Sequence, residues 1–171
     1  MSLPSVESLI DKLAEALTPC FTHPDSQPVI VGIETGGVWI AEQLRQRLAP
    51  NAELGRLDIS FYRDDFTRKG LQPEVKPSSL PTAIDDRDIL LVDDVLQSGR
   101  TVRAAMNELF DYGRPSKILL AILIDRGQRE IPVQADFVGE TLSLDSDSHI
   151  KLTGPEPLAL ELKTLEQYGG G

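Results

Sequence analysis

The stretch Ile89-Leu90-Leu91-Val92-Asp93-Asp94-Val95-Leu96-Gln97-Ser98-Gly99-Arg100-Thr101 decides the fold of this chain. Its four apolar residues predict a strand buried on both faces of a sheet. Two adjacent carboxylates follow, and then a short loop that contains a hydroxyl side chain and a glycine. The next apolar residues recur at helical spacing, at Val102, Ala105, Met106, Leu109 and Phe110. The stretch therefore predicts a strand, a loop and an amphipathic helix, in that order.

The same order occurs elsewhere in the chain. The apolar run Val29–Ile33 leads into Glu34-Thr35-Gly36-Gly37 and a helical pattern, and the apolar run Lys117–Ile124 ends in Asp125-Arg126-Gly127. We also predict a helix over Ser5–Leu17 and a strand over Leu57–Tyr62. Alternating strands and helices indicate an α/β fold with a mainly parallel central sheet flanked by helices. Ligands of such sheets bind beyond the carboxyl ends of the strands.

The central loop has the chemistry of a ribose 5-phosphate site. We expect the strand to end at Asp93 and Asp94, so that the turn brings both carboxylates to one pocket. Carboxylates accept hydrogen bonds from neighbouring hydroxyls or hold Mg²⁺. Backbone N–H groups from Leu96 to Thr101, at a helix N-terminus, suit a phosphate. The alternatives are a solvated helix cap or a phospho-accepting receiver domain, but receiver domains begin with this strand, which here lies past mid-chain.

Two other loops leave alternatives open. Glu34-Thr35-Gly36-Gly37 is either an anion site or a tight connection that needs glycine. The segment of about residues 63–86 contains four Gly and Pro residues and little apolar periodicity. Loops of this length are usually functional or disordered, so it is either a lid over a ligand or a surface excursion.

Bulk composition restricts the functional classes. The 171 residues favour one domain, spanning 1–171. A formal net charge of -10 opposes nonspecific binding to polyanions. Cys20 is the only cysteine, which excludes an internal disulfide. The sequence has no apolar run long enough for a transmembrane helix and no signal-peptide pattern, so we predict a cytoplasmic protein without a membrane partner.

The stretch Ile89–Thr101 resembles the phosphoribosyl pyrophosphate (PRPP) signature of type I phosphoribosyltransferases. Further segments resemble the PyrR family, whose members are pyrimidine operon attenuators with uracil phosphoribosyltransferase activity. These segments are Ile59–Asp65, Ser98–Met106, Tyr112–Ser116 and Asp125–Pro132. The resemblance runs from about Val29 to Gly139. It implies that uracil and PRPP give UMP and diphosphate, with Mg²⁺ carried by PRPP near the two aspartates rather than by protein ligands alone.

The resemblance also implies roles for particular residues. Asp93, Asp94 and Arg63 would serve catalysis, with the two aspartates on the ribose hydroxyls. The 5-phosphate would lie in the loop formed by Val95, Leu96, Gln97, Ser98, Gly99, Arg100 and Thr101. Diphosphate would lie against Glu34, Thr35, Gly36 and Gly37. A hood from about 125–136 and the C-terminal tail, with Asp125, Arg126 and Ile150, would read the base.

Two departures from the family pattern bear on function. Gly36 stands where relatives often have arginine, so Arg63, Arg100, Arg68 or Lys69 would have to meet the diphosphate. Gln128 stands where relatives often have histidine. The family implies leader RNA, PRPP, uracil, UMP and UTP as partners and a homodimer or higher oligomer. The acidic charge argues against RNA. The alternatives are a uridine-nucleotide-sensing, RNA-binding transcription attenuator with little enzymatic role and a phosphoribosyltransferase for another base.

Overall fold

A computed structural model describes residues 2–59 and 78–164 of the chain. Within this part, five strands form one parallel sheet in the order β2-β1-β3-β4-β5. The strands are β1 (Val29–Ile33), β2 (Leu54–Leu57), β3 (Asp88–Leu96), β4 (Lys117–Asp125) and β5 (Phe137–Thr141). The predicted α/β class and mainly parallel sheet are confirmed.

Helices cover both faces of the sheet. They are α1 (Val6–Leu17), α2 (Gly36–Leu48) and α3 (Arg100–Tyr112). Neighbouring residues of β1 point to opposite faces, as strand geometry requires. Ile30 therefore belongs to the core with α1 and α2, whereas Val31 belongs to the core with α3. Val102, Ala105 and Leu109 of the predicted α3 stripe are buried, but Phe110, predicted to belong to it, is exposed. Ser5 caps α1 by accepting from the Ser8 amide at 3.2 Å.

The C-terminal region adds a separate ribbon. Strands β6 (Ser148–Thr153) and β7 (Ala159–Thr164) pair antiparallel. The side chains of Ile150 and Leu152 are buried in the same core as α1 and α2. This region, predicted to belong to the hood, is therefore attached to the body through apolar packing.

Two predicted strand boundaries were wrong. The strand predicted to begin at Leu57 ends there within the described residues, because β2 pairs residue by residue with β1 and Leu57 lies opposite Ile33, the last residue of β1. Residues 60–62 of that prediction lie outside the described part of the chain. The strand predicted to end at Asp93 and Asp94 continues to Leu96, because β4 pairs with it as far as Asp125. Both corrections follow from pairing with a neighbour, which the local pattern does not reveal.

The chain is fixed on both sides of residues 60–77. The Asp58 amide donates to Ser78 Oγ at 3.0 Å, and Arg56 and Ser79 exchange two backbone hydrogen bonds of 2.8 and 2.9 Å. Ile84 is fully buried. Residues 78–86 of the predicted lid are therefore held on the body, while its remainder, with Arg63, Arg68 and Lys69, lies outside the described residues.

A search of the described helices finds none with the length and apolar character needed to cross a membrane.

Candidate active site

The carboxyl ends of the strands bring the predicted loops to one rim. The Glu34 amide donates to the Leu57 carbonyl at 2.9 Å, which joins the ends of β1 and β2. The Arg126 amide donates to the Leu96 carbonyl at 3.0 Å, which joins the ends of β3 and β4. The glycine turn, the acid pair and the Asp125 loop therefore adjoin one another, as the parallel sheet predicts.

The acid pair lies against the glycine turn at the start of α2. Asp93 is buried, and Asp94 is partly exposed. A Cβ atom built on Gly36 would overlap the Asp94 carboxylate, and one built on Gly37 would lie 3.2 Å from Asp93 Oδ1. Glycine thus permits the two carboxylates and the α2 N-terminus to approach closely. The Glu34–Thr35 peptide in this turn is cis.

The two carboxylates are oriented by the backbone that follows them. Asp93 Oδ1 accepts from the Asp94 amide at 2.8 Å, and Asp94 Oδ1 accepts from the Val95 amide at 2.7 Å. Each carboxylate therefore has one oxygen engaged locally. The second oxygen of Asp94 is the atom that faces Gly36, so this carboxylate presents an acceptor at the turn.

The predicted phosphate loop encloses a cavity of about 230 Å³. Val95, Leu96, Gln97, Ser98, Gly99, Thr101 and Val102 line it. Gly99 has φ +92°, a conformation that other residues rarely adopt, and a Cβ there would also crowd Ile131 at 3.0 Å. Because α3 begins at Arg100, its first-turn amides lack partners within the helix and are directed to this end. The cavity combines a concave backbone with a helix N-terminus, which suits an anion.

A segment that sequence reasoning did not assign to this loop supports it. The Ser98 carbonyl accepts from the Glu130 amide at 2.9 Å and from the Ile131 amide at 3.2 Å. Arg100 Nε donates to Glu130 Oε1 at 2.6 Å, so the Arg100 guanidinium turns toward this segment. These contacts join residues about thirty positions apart, so a local pattern could not predict them.

The sequence did not single out Arg129, although its side chain makes the most hydrogen bonds in the segment that follows β4. Its guanidinium makes a two-point ion pair with Asp125, at 2.9 and 2.7 Å, and donates to the Gln97 carbonyl at 3.1 Å. The hydrogen bond from Arg129 lowers the pKa of Asp125, outweighing the opposing effect of burial. Asp125 is therefore an ionised support of the loop in this structure.

The other predicted hood residues are buried. Arg126 is 3% exposed, and burial lowers the pKa of its guanidinium. It donates to the carbonyls of Ser148, at 2.7 Å, and Asp145, at 3.1 Å, which ties β4 to the start of β6. The Ile150 side chain lies in the core on β6. The role of these residues in base recognition stays a prediction.

The carboxylates of the site suit a metal ion that the substrate also coordinates. No group of three or more His, Cys, Asp or Glu side chains in 2–59 and 78–164 could hold a metal ion. Mg²⁺ commonly binds through one or two carboxylates, waters and substrate phosphates. The partly exposed Asp94 carboxylate beside the glycine turn offers such a ligand.

Comparison with solved structures defines the class of the protein. A hypoxanthine phosphoribosyltransferase from Staphylococcus aureus superposes with a TM-score of 0.66 at 20% identity, over 86% of this chain and 79% of that one. A purine phosphoribosyltransferase from Pyrococcus horikoshii superposes with a TM-score of 0.61 at 25% identity, over 81% of this chain and 82% of that one. The fold is that of a phosphoribosyltransferase, as predicted.

Sequence comparison narrows the class to a family. The family model for the phosphoribosyl transferase domain matches residues 3–157. The bifunctional protein PyrR of Pseudomonas paraeruginosa is 54% identical over 166 residues, which cover 96% of this chain and 98% of that protein. The bifunctional protein PyrR of Pseudomonas fluorescens is 50% identical over 96% of this chain and 99% of that protein. The chain belongs to the PyrR family of phosphoribosyltransferases. The predicted resemblance to type I phosphoribosyltransferases and the predicted resemblance to the PyrR family are both confirmed.

Proposed function

We propose that this protein transfers the 5-phosphoribosyl group of PRPP to uracil, giving UMP and diphosphate, and that it also regulates pyrimidine biosynthesis genes. The observation that carries the proposal is the near full-length match to bifunctional PyrR proteins. The site geometry supports it independently, because an acid pair, a glycine turn and an anion cavity adjoin at one rim.

The donor is held at three points. Asp93 and Asp94 accept from the ribose hydroxyls, the cavity of the phosphate loop takes the 5-phosphate, and the turn from Glu34 to Gly37 faces the diphosphate. The amides at the start of α2 and α3 both offer positive ends to these anions. The protein thus fixes the sugar between two helix N-termini, which aligns the anomeric carbon with the incoming base.

Bond cleavage separates charge, and the site must stabilise it. As diphosphate leaves, the ribose ring gains oxocarbenium character, and the nearby Asp93 and Asp94 carboxylates favour that positive charge. Mg²⁺, held by PRPP and Asp94, would neutralise the leaving diphosphate. Uracil N1 bonds to the anomeric carbon as the bond to diphosphate breaks, and the N1 proton passes to water. Catalysis then rests mainly on positioning and charge. Arg63, the predicted third catalytic residue, and the lid would complete the site from outside the described residues.

The decisive experiment is an assay with uracil, PRPP and Mg²⁺. We expect UMP and diphosphate in equal amounts. A panel of hypoxanthine, guanine and orotate tests the alternative that another base is the acceptor. Folded protein that forms no UMP with uracil would overturn the proposed activity, and turnover of another base alone would redirect it.

The regulatory role has a separate candidate mechanism, the binding of pyrimidine-operon leader RNA in response to uridine nucleotides. The PyrR family membership favours it, whereas the net charge of -10 opposes it. The exposed face of α1 is acidic, with Glu7, Asp11 and Glu15. A titration with leader RNA, with and without UMP and across salt concentrations, distinguishes an RNA regulator from one that acts without RNA.

A further inference from the structure

Gln128 lies in the first segment of the hood (about 125–136), between the phosphate loop and the C-terminal segment of the hood. It follows β4 by three residues and has φ +64°, in the left-handed region where glycine or asparagine is favoured. Gly127, just before it, shares this conformation at φ +72°. A glycine or an asparagine would be less strained at this position. The glutamine side chain is therefore expected to have a role of its own.

The Gln128 side chain joins two parts of the site. Its Oε1 accepts from Gln97 Nε2, in the phosphate loop, at 2.9 Å. Its Nε2 donates to the carbonyl of Leu144, just before β6, at 3.2 Å. One amide group thus connects the loop that receives the 5-phosphate with the segment that leads into the hood.

The neighbouring Arg126 fixes the direction of this amide. Arg126 Nη2 can only donate, and it lies 3.3 Å from Gln128 Oε1. The Leu144 carbonyl can only accept, so it requires the nitrogen of the same amide. The orientation follows from these two partners, and Gln97 must then present its own nitrogen.

A role in stability explains this arrangement poorly. Gln128 is exposed, and its bonds to Gln97 and Leu144 are open to solvent, where hydrogen bonds contribute little net stability. Arg126 already ties β4 to the carbonyls of Asp145 and Ser148 from a buried position. Gln128 adds what Arg126 lacks, a side-chain contact with the phosphate loop.

We propose that Gln128 is a positioning residue that couples the 5-phosphate loop to the hood, so that occupation of the loop by PRPP favours binding of the base. This inference rests on the proposed phosphoribosyl transfer. When the 5-phosphate fixes the loop, Gln97 holds the Gln128 amide, and the amide in turn holds the segment at Leu144. Binding of one substrate then assists the other, and the assistance is reciprocal.

The test measures the coupling between substrates in Gln128→Asn and Gln128→Gly. Both substitutions accept the left-handed backbone, but asparagine is too short to bridge, and glycine has no side chain. Initial rates over a full grid of PRPP and uracil concentrations give the dissociation constant of PRPP and its KM at saturating uracil. When the substrates assist each other, the dissociation constant exceeds the KM. We expect the ratio of the dissociation constant to the KM to fall toward one, by about fivefold, in both variants.

Three further measurements complete the design. Gln46→Ala removes an exposed glutamine near the C-terminal end of α2, away from the site, and it should leave the ratio unchanged. Gln97→Ala, alone and with Gln128→Gly, should reduce the ratio without adding to the effect, as expected for partners in one contact. Thermal melting of each variant detects a merely structural role, which would lower the melting temperature and leave the ratio as in the wild type.

The possible outcomes distinguish a failure of the Gln128 coupling from a failure of the proposed phosphoribosyl transfer. Turnover by the wild type with an unchanged ratio in both Gln128 variants overturns the coupling and leaves the transferase intact. Absence of turnover by the folded wild type overturns the proposed function and the coupling with it. A reduced ratio shared by the Gln128 and Gln97 variants, and absent from Gln46→Ala, supports the coupling.

Discussion

At the residue scale, the site depends on how closely the Asp94 carboxylate approaches Gly36. The two lie so near that a Cβ on residue 36 would overlap the carboxylate. The position of Asp94 is therefore set by the absence of a side chain on a different element. In the proposed function, the turn from Glu34 to Gly37 would therefore shape the ribose site as well as face the diphosphate.

This contact predicts the effect of Gly36→Ala. The added methyl group should displace the Asp94 carboxylate and lower kcat/KM for PRPP by up to about 100-fold, since small displacements of positioning groups can cost that much. Alanine is a better helix former than glycine at the start of α2, so the melting temperature should not fall. Combining the change with Asp94→Ala should add little, and an additive loss would contradict the steric explanation.

The charge of Asp94 has its own test. Asp94→Asn keeps the shape but removes the charged acceptor for the ribose hydroxyls and Mg²⁺. Hydrogen bonds to charged groups are worth about 1.5–3 kcal/mol, so the KM for PRPP should rise roughly 10- to 100-fold. Asp25→Asn, an exposed change near the opposite ends of the strands, is the control. Unchanged PRPP kinetics in Asp94→Asn would remove this residue from the ribose site.

At the element scale, the phosphate loop is shaped by the segment that follows β4. The backbone amides of Glu130 and Ile131 hold Ser98, and Arg129 holds Gln97 while paired with Asp125. The loop is thus preorganised by a second connection on the same edge of the sheet. Preorganisation of this kind lowers the cost of ordering a loop around its ligand.

The Asp125–Arg129 pair predicts a pH-dependent stability. Because the pKa of Asp125 is lowered in the folded protein, its contribution is complete above the ordinary value of 3.8 and is lost as the pH falls through the folded value. Arg129→Gln should lower the melting temperature at pH 7 by about 4 °C, and the difference from the wild type should shrink at acidic pH. Melting curves between pH 3 and 8 provide the measurement.

The matched control for that experiment is Arg100→Gln. Its ion pair with Glu130 is short, but both side chains are more than half exposed, so solvent screens it. We expect little change in melting temperature at any pH. A pH-independent difference between Arg129→Gln and the wild type would show that packing, rather than the ionised pair, is responsible.

At the scale of the whole molecule, the sequence predicts which segments form strands and helices better than it predicts the residues at which they end. The strands at Val29 and Lys117 are recognised from continuous apolar runs and the helix after Gly99 from its apolar period, and the structure places all three as expected. The end of β2 and the extension of β3 depend on their partner strands. The support of Ser98 by Glu130 depends on contacts across the sheet edge. None of these three features could be deduced from a local pattern.

The charge of the whole molecule predicts weak interaction with RNA. With 17 Lys and Arg against 27 Asp and Glu, the protein has few cations in excess to contact phosphates, and salt of about 150 mM weakens such contacts, so leader RNA should stay unbound. Filter binding or fluorescence anisotropy with UMP present measures this, and a scrambled RNA is the control. Tight binding specific to the leader would contradict the expectation and identify a local basic surface.

The closure of the chain at Asp58 and Ser78 has a consequence for protein engineering. Since the Asp58 amide is hydrogen bonded to Ser78 Oγ, the two ends that residues 60–77 connect lie side by side on the body. In polymer terms the connection is a closed ring, whose entropic cost changes only with the logarithm of its length. A variant in which two glycines replace residues 60–77 should therefore fold with a near-normal melting temperature. Such a minimal body would allow ribose 5-phosphate binding to be measured apart from turnover.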